Sequence, residues 1–284
     1  MRAHDPEVKD AVWAALEPRI PRPVDNHPLG CHRPRASDRD CFEMIFLRLT
    51  TGCSWQDAES IFGHKVSDTT ARARRDEWIA AGVFNELSEE AIAGYDKMIG
   101  LDLTDVAVDG SLQKSPGGGE GTGKNPTDRA KLGWKWSILT DKAGIPIGWA
   151  IDGANRNDSV MLEPTLDDAA KRGLLAEIET IWLDRGYDSA VTRQRLIDRL
   201  LNDAIIAKKR KKGEAKGKNP QPMGMRWPVE RTNAWLAAYG QLRRNTDRKV
   251  VHRLAQFALA VVFLLTAKLI DHRNRWSAVT APIR

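Results

Sequence analysis

Three carboxylates stand where this chain could use them together. Asp109 follows the apolar run Thr104–Val108 (TDVAV) and precedes Gly110-Ser111. Asp184 follows Thr180–Leu183 (TIWL) and precedes Arg185-Gly186-Tyr187-Asp188, and Glu230 lies in the first turn of a helical stretch in RWPVERTNAWL. Both apolar runs read as short strands, so each aspartate projects at a strand end, and adjacent strands of an open sheet that end together bring such residues into one crevice. Converging carboxylates repel one another, and hard divalent cations remove that repulsion. Oxygen ligands suit Mg²⁺ or Mn²⁺, two ions per active site about 4 Å apart, which would serve an in-line phosphoryl displacement. His27, His32, His64 and His252 show no ligand spacing, and no His/Cys cluster offers zinc a site. Singly, each acid has an ordinary role: Asp109 as a turn former, Asp184 as a cap, Glu230 as a helix-dipole partner.

The elements that must position these acids can be read from periodicity. Strands are expected at 104–108, 134–139, 145–151, 180–183 and 204–207, with helices at 161–172, 190–201 and about 229–239 between and after the later ones. Three strands close together followed by alternating helix and strand give an α/β domain, a mixed sheet with flanking helices. Before it, Asp38 to Ala80 carries helical stripes divided at Gly52 and Gly63, with Ser67 as the N-cap of a third helix bearing Arg72, Arg74 and Arg75. Three short helices suit a helix-turn-helix-like module whose arginines enter a DNA groove, or equally a helical domain with solvated arginines. The expected division is a helical domain over 1–100 and a catalytic domain over 101–284, the latter including a C-terminal helix.

Charge points to the partner. Of 44 Lys and Arg against 38 Asp and Glu, residues 201–284 hold 18 basic and only 5 acidic side chains, whereas residues 1–200 are net acidic. This asymmetry calls for a polyanion, most economically nucleic acid. The run Lys208, Lys209, Arg210, Lys211, Lys212 opens a basic loop over 208–218 (KKRKKGEAKGK), and Lys131 and Lys135 lie on or near the second strand, as phosphate contacts or as solvated lysines. Three cysteines without CxxC spacing, an acidic start (MRAHDPEVKD) and a single apolar run of about half a bilayer span, Phe257–Thr266, lead to the expectation of a cytoplasmic protein whose C-terminal run is a buried helix. Gly118–Lys124 (GGEGTGK) imitates a phosphate-binding loop, but Asn125 replaces the metal-binding hydroxyl and Pro126 cannot donate an N–H, so no nucleotide cofactor is expected. Trp134, Trp136, Trp149, Trp182, Trp227 and Trp235 are mostly core by position, with base stacking open to one or two.

Four ordered blocks then bring a family into view. Asp109-Gly110-Ser111, Gly121–Trp149 (GTGKNPTDRAKLGWKWSILTDKAGIPIGW), Leu183–Ser189 (LDRGYDS) and Arg226–Leu236 (RWPVERTNAWL) resemble the bacterial insertion-sequence transposases of the "insertion sequence five" family, as does the helical segment Asp38–Gly63. The resemblance implies a DDE enzyme with a ribonuclease-H-like core: first aspartate on the first strand, second after the fourth, glutamate on a helix beyond the fifth. Those positions match Asp109, Asp184 and Glu230 as metal-binding catalytic residues. Arg226 matches the arginine of the family's extended glutamate motif and would hold a DNA phosphate, with Arg231 beside it. Met223 stands where that motif often has tyrosine, and Ala237 where it often has a basic residue. The implied function is a transposase that cleaves element ends and joins the exposed 3′-hydroxyl to target DNA, acting near the nucleoid as a homodimer or larger assembly on double-stranded DNA, without a membrane. A metal nuclease that only cuts, and an inactive DNA-binding repressor or relic, are the alternatives.

Overall fold

A computed structural model describes residues 4–22, 35–207 and 226–279. The first part of the chain is helical: α1 (Pro6–Leu16), α2 (Asp38–Thr51), α3 (Trp55–Ile61), α4 (Asp68–Ala80) and α5 (Val83–Met98). Local chemistry sets their ends. Asp5, Ser37, Ser54 and Ser67 each accept a backbone N–H as N-caps of α1 to α4. Gly52 closes α2 at φ +74°, and a Cβ there would meet the backbone of Gly240 at 2.7 Å, so glycine is needed both for the turn and for the close approach.

The chain then builds a mixed sheet: β1 (Asp105–Lys114), β2 (Gly123–Lys124), β3 (Leu132–Thr140), β4 (Pro146–Gly153), α6 (Asp158–Lys171), β5 (Thr180–Leu183), α7 (Ala190–Asp198), β6 (Asp203–Ile206) and α8 (Arg226–Ala237). Strand order is β2-β3-β1-β5-β6, with β4 also paired to β3. β1, β3 and β4 are antiparallel, whereas β5 and β6 run parallel to β1. Val106, Val108, Ile181, Leu183 and Leu139 bury one face of this sheet with Leu162 and Leu166 of α6 and Leu196 of α7. The architecture is the expected α/β arrangement, a mixed sheet with flanking helices. GGEGTGK forms no phosphate loop: its Gly123-Lys124 pair with β3, and no helix follows.

After α8 the chain continues into α9 (Gly240–Arg243) and α10 (Val250–Val279). Two compact units result, residues 1–99 with 238–284, and residues 100–237. The expected boundary at 101–284 is therefore corrected. α10 belongs to the helical unit because its apolar side packs on that unit's core, with Phe263 against Phe42 and Phe46 at ring-centroid separations of 6.4 and 4.9 Å. By length and composition Val250–Ser277 could cross a membrane, longer than the apolar run alone suggested, but 72% of its apolar window is buried inside the protein, as in a core helix.

Candidate active site

The two aspartates meet through strand register. β1 does not end at Val108, as expected, but runs on to Lys114, because β3 pairs with it through Gly133. Asp109 therefore stands within the strand. β1 and β5 are parallel with Ala107 opposite Trp182, so two residues on, position 184 faces Asp109, and the period of two puts both side chains on the sheet face opposite Val108 and Leu183. Asp184 is the first residue past β5. It caps the short turn Arg185–Tyr187, its Oδ1 accepting the Gly186 N–H at 2.5 Å.

α8 closes over this face. Its Asn233 Nδ2 donates to Asp109 Oδ2 at 2.9 Å, while the Trp136 indole Nε1 donates to Asn233 Oδ1 at 2.7 Å. Arg226, Glu230 and Asn233 are spaced i, i+4 and i+7, on one side of the helix. Glu230 thus lies on the side that Asn233 turns to Asp109, but its own exposed carboxylate accepts Arg226 Nη2 at 3.2 Å. The structure brings Asp109 and Asp184 together, and among the described residues no three His, Cys, Asp or Glu side chains are grouped to hold a metal ion.

Electrostatics distinguish Asp109. Burial pushes its carboxyl up to about 6, and the charge of Asp184 adds to this, while the Gly110 N–H, Arg226 and the Asn233 amide oppose it. A carboxylate short of positive charge, beside a second aspartate and with only oxygen donors, fits a hard divalent cation. Asp109 and Asp184 would hold such an ion, and Glu230 would join them on leaving Arg226.

Several predicted contacts lie elsewhere. Lys135 is opposite Leu112 in the β1–β3 ladder, so its side chain leaves the face opposite Asp109. There it is buried and ion-paired with Asp158 at the start of α6, in the space that Gly110 leaves open; a Cβ at Gly110 would stand 2.5 Å from Asp158 Oδ1. This corrects its assignment as a phosphate contact. Arg231 is stacked between Trp227 and Trp235, 4.2 and 4.7 Å from their ring centroids, and donates to the Ala143 carbonyl. It ties α8 to the β3–β4 turn. Lys131 is exposed, and Lys208, Lys209, Arg210, Lys211 and Lys212 lie outside the described residues.

In the helical unit, Arg74 and Arg75 are 5% exposed, Arg74 paired with Asp38 and Arg75 with Asp247 at 3.0 Å, so neither is free for a DNA groove. Arg72 remains partly exposed, paired with Asp68 at 2.5 Å. Sequence reasoning missed Asn233 and Asp158. The first could have been suspected from its place one turn beyond Glu230, and the second follows the N-cap Asn157 of α6 directly.

Comparison with known proteins identifies the family. A family model described as "Transposase DDE domain" matches residues 100–265, and one described as "Putative transposase of IS4/5 family" matches residues 8–88. The "Putative transposase for insertion sequence element IS402" of Burkholderia cepacia is 40% identical over 133 residues, which are 45% of this chain and 60% of that protein, so the chain spans less than two thirds of this relative. The "Insertion element IS402 uncharacterized 16.2 kDa protein" of the same organism is 31% identical over 121 residues, 43% of this chain and 82% of that protein. Among solved structures, a pre-cleavage Mos1 transpososome matches at 11% identity and TM-score 0.31, covering 88% of this chain and 81% of that one. The Mos1 mariner paired end complex with Mn matches at 10% identity and TM-score 0.32, covering 86% and 80%. The "Transposase DDE domain" model spans more than half of the residues, and the chain belongs to that family of DDE transposases.

Proposed function

We propose that this protein is a DNA transposase whose reaction centre is built on Asp109, Asp184 and Glu230. Membership of the DDE family implies dependence on a divalent metal. The observation that carries the reading is the nearness of Asp109, on β1, to Asp184, the residue that follows the neighbouring parallel strand β5, with the Asp109 carboxyl raised to about 6 by burial and by the charge of Asp184. Bound Mg²⁺ or Mn²⁺, two ions in this reading, would activate the attacking oxygen and stabilise the leaving one. Asn233 holds Asp109 in place, Arg226 supplies a phosphate contact, and the turn at Gly186 fixes Asp184.

The chemistry runs in two displacements at phosphorus. Water cleaves the phosphodiester at the element end, leaving a 3′-hydroxyl and a 5′-phosphate. The 3′-hydroxyl then attacks a target phosphodiester, forming one such bond and breaking one. Two DNA ends must be joined in concert, which suits a symmetric dimer or larger assembly. The deciding experiment is product analysis with Mg²⁺ or Mn²⁺ and duplexes bearing the element ends. Donor 3′ ends covalently joined to target DNA are expected, and Asp184→Asn should abolish both products while DNA binding persists. Cleavage without joining would replace this reading with that of a nuclease, and binding without any cleavage with that of a repressor.

A further inference from the structure

The cations of the helical unit fall into two classes. Those in its first part are largely matched: Arg39 with Asp10 and Glu43, Arg35 with Glu77, Arg74 with Asp38, Arg72 with Asp68. From the last residue of α9 to the start of α10 the pattern reverses. Arg243, Arg244, Arg248 and Lys249 are exposed, and among the described residues their side chains make no hydrogen bond or ion pair.

The loop that carries them is held from beneath. Asn245 is fully buried and donates to Gln256 Oε1 at 2.8 Å, and its own Oδ1 accepts the Asp247 N–H at 2.9 Å. The Asp247 carboxylate takes Arg48 and Arg75 at 3.0 Å each together with the amides of Gln241 and Gln256, and Arg253 donates to the Asp247 carbonyl. Asp247 is the one acid between residues 238 and 253, and it points inward, already committed to two guanidinium groups. It cannot neutralise its exposed neighbours. Buried polar anchors at 245 and 247 alternate with outward cations at 244, 248 and 249, so the backbone is fixed while four positive charges face solvent.

We infer that Arg243, Arg244, Arg248 and Lys249 form a preordered surface for the phosphate backbone of double-stranded DNA, and that the helical unit grips DNA there. The inference rests on the reading of the protein as a DNA-acting enzyme. A run of unmatched cations on a loop fixed by its own buried network recognises evenly spaced anionic groups without side-chain acceptors, which is the chemistry of a phosphodiester backbone. Such contacts position a protein on duplex DNA and carry no sequence information.

The test uses the full chain and a short fluorescent duplex of arbitrary sequence, with affinity measured across a salt series. Each phosphate contact contributes about 0.9 to the slope of log affinity against log salt. Replacing all four residues with glutamine should make that slope shallower by about 3.6 and weaken binding at least about 30-fold near 0.1 M salt. Its melting curve should match the parent's, since these side chains hold nothing inside the protein. Should the fourfold variant fail to fold, Arg244→Gln and Arg248→Gln singly should each lower the slope by about 0.9. A parent that binds duplex with a slope unchanged by these substitutions overturns the inference and leaves the transposase reading standing. Polyglutamate competing as well as DNA, charge for charge, also overturns it, in favour of an acidic protein partner. A parent that binds no duplex at all removes the transposase reading and the inference with it.

Discussion

Asp247 in the helical unit and Asp109 in the α/β unit are both aspartates withdrawn from water, and their surroundings drive them in opposite directions. Burial alone would raise Asp247, but Arg48 and Arg75 hold it down to about 2. Asp109 has one neutral amide, a backbone N–H and a more distant Arg226 against its burial and the neighbouring Asp184, and it rises to about 6. One carboxylate has its counter-charge built in, so its work is structural. The other lacks it, which is the condition expected of a carboxylate at the cation site proposed above.

The sharpest way to break this comparison is to neutralise each aspartate. Asp109→Asn should cut metal-dependent DNA cleavage by at least about 10³-fold, since metal coordination is worth several kcal/mol of barrier. The same change should raise the stability of the α/β unit at neutral pH by about 1–2 kcal/mol, because an amide avoids the cost of ionising a buried acid. Calorimetry and a gel assay measure the two effects, and a loss of stability on this substitution would erase the contrast.

Asp247→Ala should do the reverse, costing the helical unit about 3–5 kcal/mol through two buried guanidinium groups left unpaired, read as a lowered melting temperature. The pH response sharpens the difference. Asp247 stabilises above the unfolded carboxyl value and loses that contribution as pH falls from about 4 to about 2. Asp109 binds its proton more tightly in the folded state, so its contribution to stability falls as pH rises from about 4 to about 6. Asp141, raised to about 6 by burial within the β3–β4 turn, acts in the same sense. Stability curves of Asp109→Asn and Asp141→Asn should therefore each remove part of the slope between pH 4 and 6.

A further test concerns Asn233. Its change to Ala removes the donor to Asp109 and the acceptor of the Trp136 indole, which should destabilise by about 1–3 kcal/mol. Asp109 should then ionise at still higher pH, visible as a shift of its carboxyl resonance.

Much of this arrangement was legible in the chain. Ser67 starts α4 as its side chain suggested, and the strand at Thr180–Leu183 has the predicted bounds. β1 was read short because periodicity reports burial, while its continuation through Gly110 to Lys114 depends on hydrogen bonds to β3. The burial of Arg75 was not legible, since its partner Asp247 lies 172 residues away. Likewise Lys135 looked like a surface lysine until the ladder register placed it over Gly110 beside Asp158. Long-range pairing decides such cases, and no local pattern encodes it.

Because residues 238–284 complete the helical unit, that unit cannot close until the ribosome has passed through residues 100–237. Its first helices must wait through synthesis of residues 100–237, about 7–28 s at about 5–20 residues per second, while the α/β unit can already fold. Translation that stops before α10 would release the α/β unit and the first helices without the long apolar helix that packs on Phe42 and Phe46, a product prone to aggregation and proteolysis. Only a chain translated through α10 would carry both compact units.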